Sequence, residues 1–290
     1  MTMFEFLIAP FTEFGFMQRA LAGSLLLSLS CCPVGVFLML RRMSLAGDAM
    51  AHAILPGAAA GFLLYGLELV PMTIGGLIAG LTVALSAGAV SRFTLQREDA
   101  SMAAFYLISL AAGVLLVSLR GSSVDLMHVL FGSVLALDNS ALTLIGSICV
   151  VTLILLTVFW RALVAECLDP LFLRSVSRLG APVHFVFLGV VVLNLVGGFQ
   201  ALGTLLSVGL MMLPAAGARF WTSRVETMAL LSVAIGMVSC AAGLLVSYHA
   251  ALPSGPAIIF AAGAIYLFSV IFGTRGAIAA RVRPSRHRTA

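Results

Sequence analysis

Asp48 and His52 stand four residues apart in the stretch RRMSLAGDAMAHAILPG, residues 41–57, where most positions after the two arginines are small or apolar. On a helix, that spacing sets both side chains on one face, a single turn apart. A carboxylate beside an imidazole suits a borderline divalent cation such as Zn²⁺, or Mn²⁺ where more oxygen is supplied. One helix offers two ligands, whereas a tetrahedral site needs four. A two-fold pairing of chains at this helix would supply two aspartates and two histidines.

The neighbouring ridge is built for close approach. Ala49, Ala53, Gly57 and Gly61 form a small-xxx-small ladder beside the row Asp48, His52, Pro56 and Ala60, and such ladders let helix backbones come together in lipid. Pro56 lacks an N–H, so it kinks the helix and frees a backbone carbonyl near the pair. Taken singly, Asp48 also suits a helix N-terminus, and a lone histidine also suits a packed interior. Paired on one face inside an apolar helix, they point to an ion pathway.

The elements that must position this pair are membrane spans. Hydrophobic residues make up 61% of the 290 and charged residues 9%, with a mean hydropathy of +1.15. A soluble domain carries about 25% charged residues. Apolar runs long enough to cross a bilayer recur throughout, and their continuous rather than alternating pattern excludes a β-barrel. The fold class is therefore all-α and polytopic. Nine spans are expected, at about 17–40, 45–66, 70–91, 100–119, 140–160, 182–201, 203–219, 226–248 and 254–272. Of the eleven acidic residues, only Asp48 falls inside one of them; the rest lie in loops, in the N-terminal segment or at span edges.

Charge orients the spans. There are sixteen arginines and no lysine. With the N-terminus outside and the C-terminus inside, fourteen arginines fall on the inner side and only Arg19 and Arg120 outside, as the positive-inside rule requires. Residues 1–275 read as one transmembrane domain and 276–290 as a basic cytoplasmic tail that meets anionic headgroups rather than nucleic acid. Glu5 and Glu13 precede the first basic residue, Arg19, the reverse of a secretory signal. The five cysteines contain no C-x-x-C and lie mostly in apolar runs, where they act as packing residues.

The missing lysine also limits the chemistry. A Walker A loop needs one on the nucleotide phosphates, and a Schiff base needs an amine. If ATP drives this chain, another chain hydrolyses it. An intramembrane metalloenzyme would need a further ligand or a general base in a span, such as an H-E-x-x-H, and no such motif is present. The chain is not expected to be an enzyme.

The stretch 41–57 resembles the signature of the permease subunits of bacterial zinc/manganese ABC importers, a pattern of the form S-L-x-G-D-A-x-S-H-A-x-L-P-G. Further stretches are similar: QREDA at 96–100, DLMHVLFGSVLALD at 125–138, ALGTLLSVGLMMLPAAGAR at 201–219 and SYHAALPSGPAII at 247–259. Ala51 departs from the pattern, which carries serine there. The resemblance implies a type II importer permease fold in the bacterial plasma membrane, with Asp48 and His52 contacting the metal in transit. It implies as partners a second and identical permease protomer, a cytoplasmic ATPase and an extracytoplasmic metal-binding protein. No cofactor is bound permanently: Zn²⁺ or Mn²⁺ is cargo, and ATP sits on the partner subunit.

Two loops carry further candidates. The inner loop 161–181 has a start signal at Asp169–Pro170 and a stop at Gly180 before Pro182. Between them Leu171, Phe172, Val176 and Leu179 oppose Arg174 and Arg178, giving an amphipathic helix at about 168–180. Family members use such a helix to dock on the ATPase, which assigns Asp169, Arg174 and Arg178 to coupling. The outer loop 120–139 holds an apolar run too short to span, with Asp125 and His128 at i, i+3. Together with His249, beside Tyr248 in another outer loop, they are candidates for an outer gate.

The expected function is thus an ATP-driven importer permease for divalent transition metal, with zinc ahead of manganese because imidazole favours it and the Irving–Williams order binds it more tightly. The alternative is a proton-coupled secondary metal transporter using Asp48 and His52 as a proton relay.

Overall fold

The computed structural model describes residues 9–66, 68–120, 137–168 and 180–278. Ten helices are formed among them: α1 (Ala9–Glu13), α2 (Gly15–Leu40), α3 (Ala46–Tyr65), α4 (Leu69–Phe93), α5 (Glu98–Arg120), α6 (Asn139–Leu168), α7 (Gly180–Leu202), α8 (Thr204–Arg219), α9 (Val225–Ala250) and α10 (Ser254–Phe272). No strand occurs among the described residues. A chain this apolar must satisfy its backbone hydrogen bonds within each segment, and helices do so.

Eight helices are long and apolar enough to cross a membrane. The ninth expected span is present as α8, whose 16 residues give a rod of about 24 Å. A single residue, Gly203, separates it from α7, at φ 92°. Only glycine takes that conformation without strain. The two helices fold back on each other there, so that a Cβ on Gly198 would lie 2.8 Å from the Cβ of Ser207.

α2 runs through the middle. Its Phe37 meets Trp160 of α6 and Phe187 of α7 edge-on, with ring centroids 5.2 and 6.3 Å away. Polar groups tie the same core. Asn194 of α7, fully buried, donates through Nδ2 to Thr152 Oγ1 on α6 and to the Val190 carbonyl, both at 2.8 Å. Such bonds join helices that the hydrophobic effect cannot drive together in lipid.

One boundary differs from expectation. α6 does not stop at 160 but continues to Leu168, making a helix of about 45 Å that outreaches a hydrocarbon core of about 30 Å. The first part of the presumed loop 161–181 is therefore helix. The coupling helix expected at about 168–180 falls on residues 169–179, outside the described residues, and so do Asp125 and His128 in 121–136.

Arginines gather at one end. Arg41, Arg42, Arg92 and Arg97 line a single cavity. Met39 and Leu40 pack on the cluster of Val36, Ala215, Ala218 and Met228, which brings the turn between Arg219 and Arg224 to the same end. At the other end Arg19 Nε donates to the Leu137 carbonyl at 3.0 Å.

Candidate metal site

α3 carries the predicted pair in its first two turns. Its helix begins at Ala46 with Asp48 in the first turn, where a carboxylate offsets the positive end of the helix dipole. Asp48 Oδ1 lies 3.7 Å from His52 Nε2. That is longer than a hydrogen bond, so neither group is locked to the other, and both remain free to face a common ion. The Asp48 side chain is 65% exposed and that of His52 36%. On this single chain the two donors thus stand on an open face.

The neighbours explain why that row is left open. The small-residue ladder is used inside the chain. Gly57 meets the backbone of Gly75 on α4, and Gly61 meets that of Pro71 and Met72. Any Cβ at Gly57 would overlap Gly75, so glycine is required there. α5 covers the other flank. Ser109 Oγ donates to the Ala53 carbonyl at 3.2 Å, Gly113 abuts Pro56, and the Tyr106 ring lies 6.4 Å from that of His52 at 33°. Packing on two sides fixes the rotation of α3, with His52 beside Tyr106 of α5 and Asp48 exposed.

Among the described residues, no group of three or more His, Cys, Asp or Glu could hold a metal. His249 is not brought to the pair. It is exposed in the last turn of α9 rather than in a loop, edge-on to Tyr248 at 5.2 Å. α9 starts beside Arg224 and is 26 residues long, which places His249 at the end opposite the arginines.

A second constellation was not anticipated from the sequence. At the arginine-rich end Glu166 of α6 lies between two guanidinium groups, with Oε2 3.0 Å from Arg41 Nη2 and Oε1 3.1 Å from Arg92 Nη2. Arg92 Nη2 also donates to the Gly180 carbonyl at 3.0 Å. Arg41 Nη1 donates to His184 Nδ1 at 2.9 Å, which leaves the imidazole proton on Nε2, 2.9 Å from Glu98 Oε1. The Arg41 guanidinium stacks over Phe187 at 4.3 Å. The side chains of Arg41, Glu166 and His184 are 8%, 8% and 5% exposed. One sequence signal could have found it: His184 is a histidine inside an apolar span, the feature that singled out His52.

The pattern of the ABC 3 transport family matches residues 13–273. The chain belongs to that family. Among relatives of this ABC 3 chain, the manganese transport system membrane protein MntC of Halalkalibacterium halodurans is 28% identical over 282 residues, covering 97% of this chain and 95% of the relative. The chelated iron transport system membrane protein YfeC of Yersinia pestis is 27% identical over 282 residues, covering 97% and 94%. Among solved structures, PsaBC from Streptococcus pneumoniae in complex with a Fab superposes with a TM-score of 0.83 at 28% identity, covering 97% of this chain and all of that one. This ABC 3 chain is therefore a multi-pass permease subunit of the bacterial plasma membrane. It is not an enzyme, and ATP hydrolysis belongs to a separate subunit.

Proposed function

We propose that this permease imports a divalent transition metal and that Asp48 and His52 pass the ion inward. The observation that carries this reading is the carboxylate and imidazole 3.7 Å apart on the open face of α3, on a helix packed by its other faces. Ionisable groups within membrane spans mark substrate and ion pathways. Two donors are half of a tetrahedral set, and a second, identical protomer facing the first supplies the rest.

The donor set of two oxygens and two nitrogens serves zinc and manganese alike. Manganese is placed first because relatives such as MntC of Halalkalibacterium halodurans are named for manganese transport. This reverses the order that imidazole chemistry alone suggests. Two copies of an ATPase dock on the inner face through the segment bearing Asp169, Arg174 and Arg178. An extracytoplasmic metal-binding protein loads the ion at an outer gate that includes Asp125, His128 and His249. No resident cofactor takes part.

The test is uptake of Mn²⁺ and Zn²⁺ into vesicles containing the permease with its ATPase and external binding protein. ATP-dependent uptake that survives collapse of the proton gradient is expected. Uptake that follows the proton gradient at constant ATP would instead identify a secondary transporter.

A further inference from the structure

Five helix ends meet at Glu166. Arg41 caps the C-terminus of α2, Arg92 lies in the last turn of α4, Glu98 opens α5, Glu166 lies two residues before the end of α6, and Gly180 opens α7 with His184 four residues further on. Arginine near a helix C-terminus offsets the dipole there, whereas a carboxylate opposes it. Glu166 is therefore placed against its own helix, and its position answers to the two guanidiniums 3.0 and 3.1 Å away. Burying such charges does not in itself stabilise a fold relative to apolar packing. Arg92 bridges Glu166 and the Gly180 carbonyl, so a single side chain holds both ends of the segment 169–179.

The same cluster reaches the transit helix. After Arg41 the chain turns through Arg42 at φ 60°, with Arg42 N–H bonded to Met39 at 3.1 Å, Met43 N–H to Leu38 at 3.0 Å and Ala46 N–H to Met43 at 3.0 Å. Met43 is 4% exposed. This hydrogen-bonded connection joins Arg41 to the first turn of α3, where Asp48 stands. The cluster also has capacity to rearrange. It borders a cavity of about 470 Å³, and Arg41 Nε, Arg41 Nη2, Glu166 Oε2, Glu98 Oε1 and His184 Nε2 are buried without an aligned hydrogen bond. A half-satisfied polar network of this kind can adopt a second set of pairings.

We infer that Glu166 is a positioning residue for coupled transport: through Arg92 and Arg41 it joins both ends of segment 169–179 to the helix that presents Asp48 and His52. This rests on the proposal that segment 169–179 docks the ATPase. The link would carry the power stroke to the metal site.

The experiment measures Mn²⁺ moved per ATP hydrolysed in vesicles holding the complete importer, with the amount of ATPase bound to the permease as a second reading. Glu166→Gln should remain assembled while the ratio falls by a factor of about 5 or more, the lower range of coupling between sites. The double variant Arg41→Gln/Glu166→Gln removes the closest buried ion pair as a unit while Arg92 keeps its bond to the Gly180 carbonyl, and its ratio should fall similarly. A wild-type ratio in either assembled variant would overturn the inference. Failure of the double variant to assemble would do so too, since the cluster would then serve folding. Wild-type vesicles without ATP-dependent uptake would instead remove the functional reading beneath it.

Discussion

Pro56 of α3 lies against Gly113 of α5, where a Cβ would come within 2.8 Å of the proline ring. With Tyr106 beside His52 and Ser109 bonded to the Ala53 carbonyl, this contact forms a seam that fixes how α3 is rotated. Gly113→Val should push α3 away from α5 and shift His52. Overpacking of this kind costs about 1–3 kcal/mol. Metal uptake should fall further than the amount of folded protein, as measured by size-exclusion yield against uptake per folded complex.

The transit pair itself gives the plainest test. Asp48→Asn keeps an oxygen but loses the charge, and His52→Ala removes the imidazole. Groups that merely support a ligand are worth roughly 10–100-fold in affinity, so loss of a ligand should lower uptake by at least that factor. Both side chains are open to the surroundings, so folding and ATPase binding should persist. Uptake of either variant at the wild-type rate would sink the site.

The ladder on α3 predicts a purely structural effect. Gly57 faces the Gly75 backbone too closely for any Cβ. Gly57→Ala should therefore separate α3 from α4 and lower the thermal midpoint in detergent, whereas Gly263→Ala on α10, where an added Cβ meets nothing within 4 Å, should not lower it.

How much of this was legible in the sequence follows from range. Asp48 and His52 lie one turn apart on a single helix, so periodicity alone put them on one face. The spans were legible because continuous apolar runs leave few alternatives. The ladder's partner was not: small residues announce close approach but do not name the other helix, and here it is α4 of the same chain. Glu166 was assigned to a loop because Arg161 interrupts the apolar run, yet RALVAECL at 161–168 is good helix-forming sequence and the helix continues through it. The Arg41–His184 bond joins residues 143 positions apart. No local pattern could have announced it.

Asn194 offers a measure of what a buried polar contact is worth in this bundle. Its bonds to Thr152 and to the Val190 carbonyl lie in the core between α6 and α7. Interhelical hydrogen bonds in membranes average about 0.6 kcal/mol and reach about 1.7. A double-mutant cycle with Asn194→Ala and Thr152→Ala should give a coupling energy in that range. A coupling near zero would mean that this bond adds nothing to the packing of α6 on α7.

The choice of metal can be decided by competition. Zn²⁺ outranks Mn²⁺ in the Irving–Williams order, so a permease with a nitrogen-rich tetrahedral site would be blocked by zinc well below the manganese concentration. If manganese is the cargo, added oxygen donors such as water must complete the site, and zinc should bind there tightly yet be released slowly. The expected outcome is that zinc inhibits manganese uptake while itself entering at a much lower rate. In Asp48→Asn, where each protomer loses a charged oxygen ligand, the hard manganese ion should lose more than the imidazole-preferring zinc, so the ratio of manganese to zinc uptake should drop. Equal loss of both ions would show that the carboxylate contributes charge without selecting the metal.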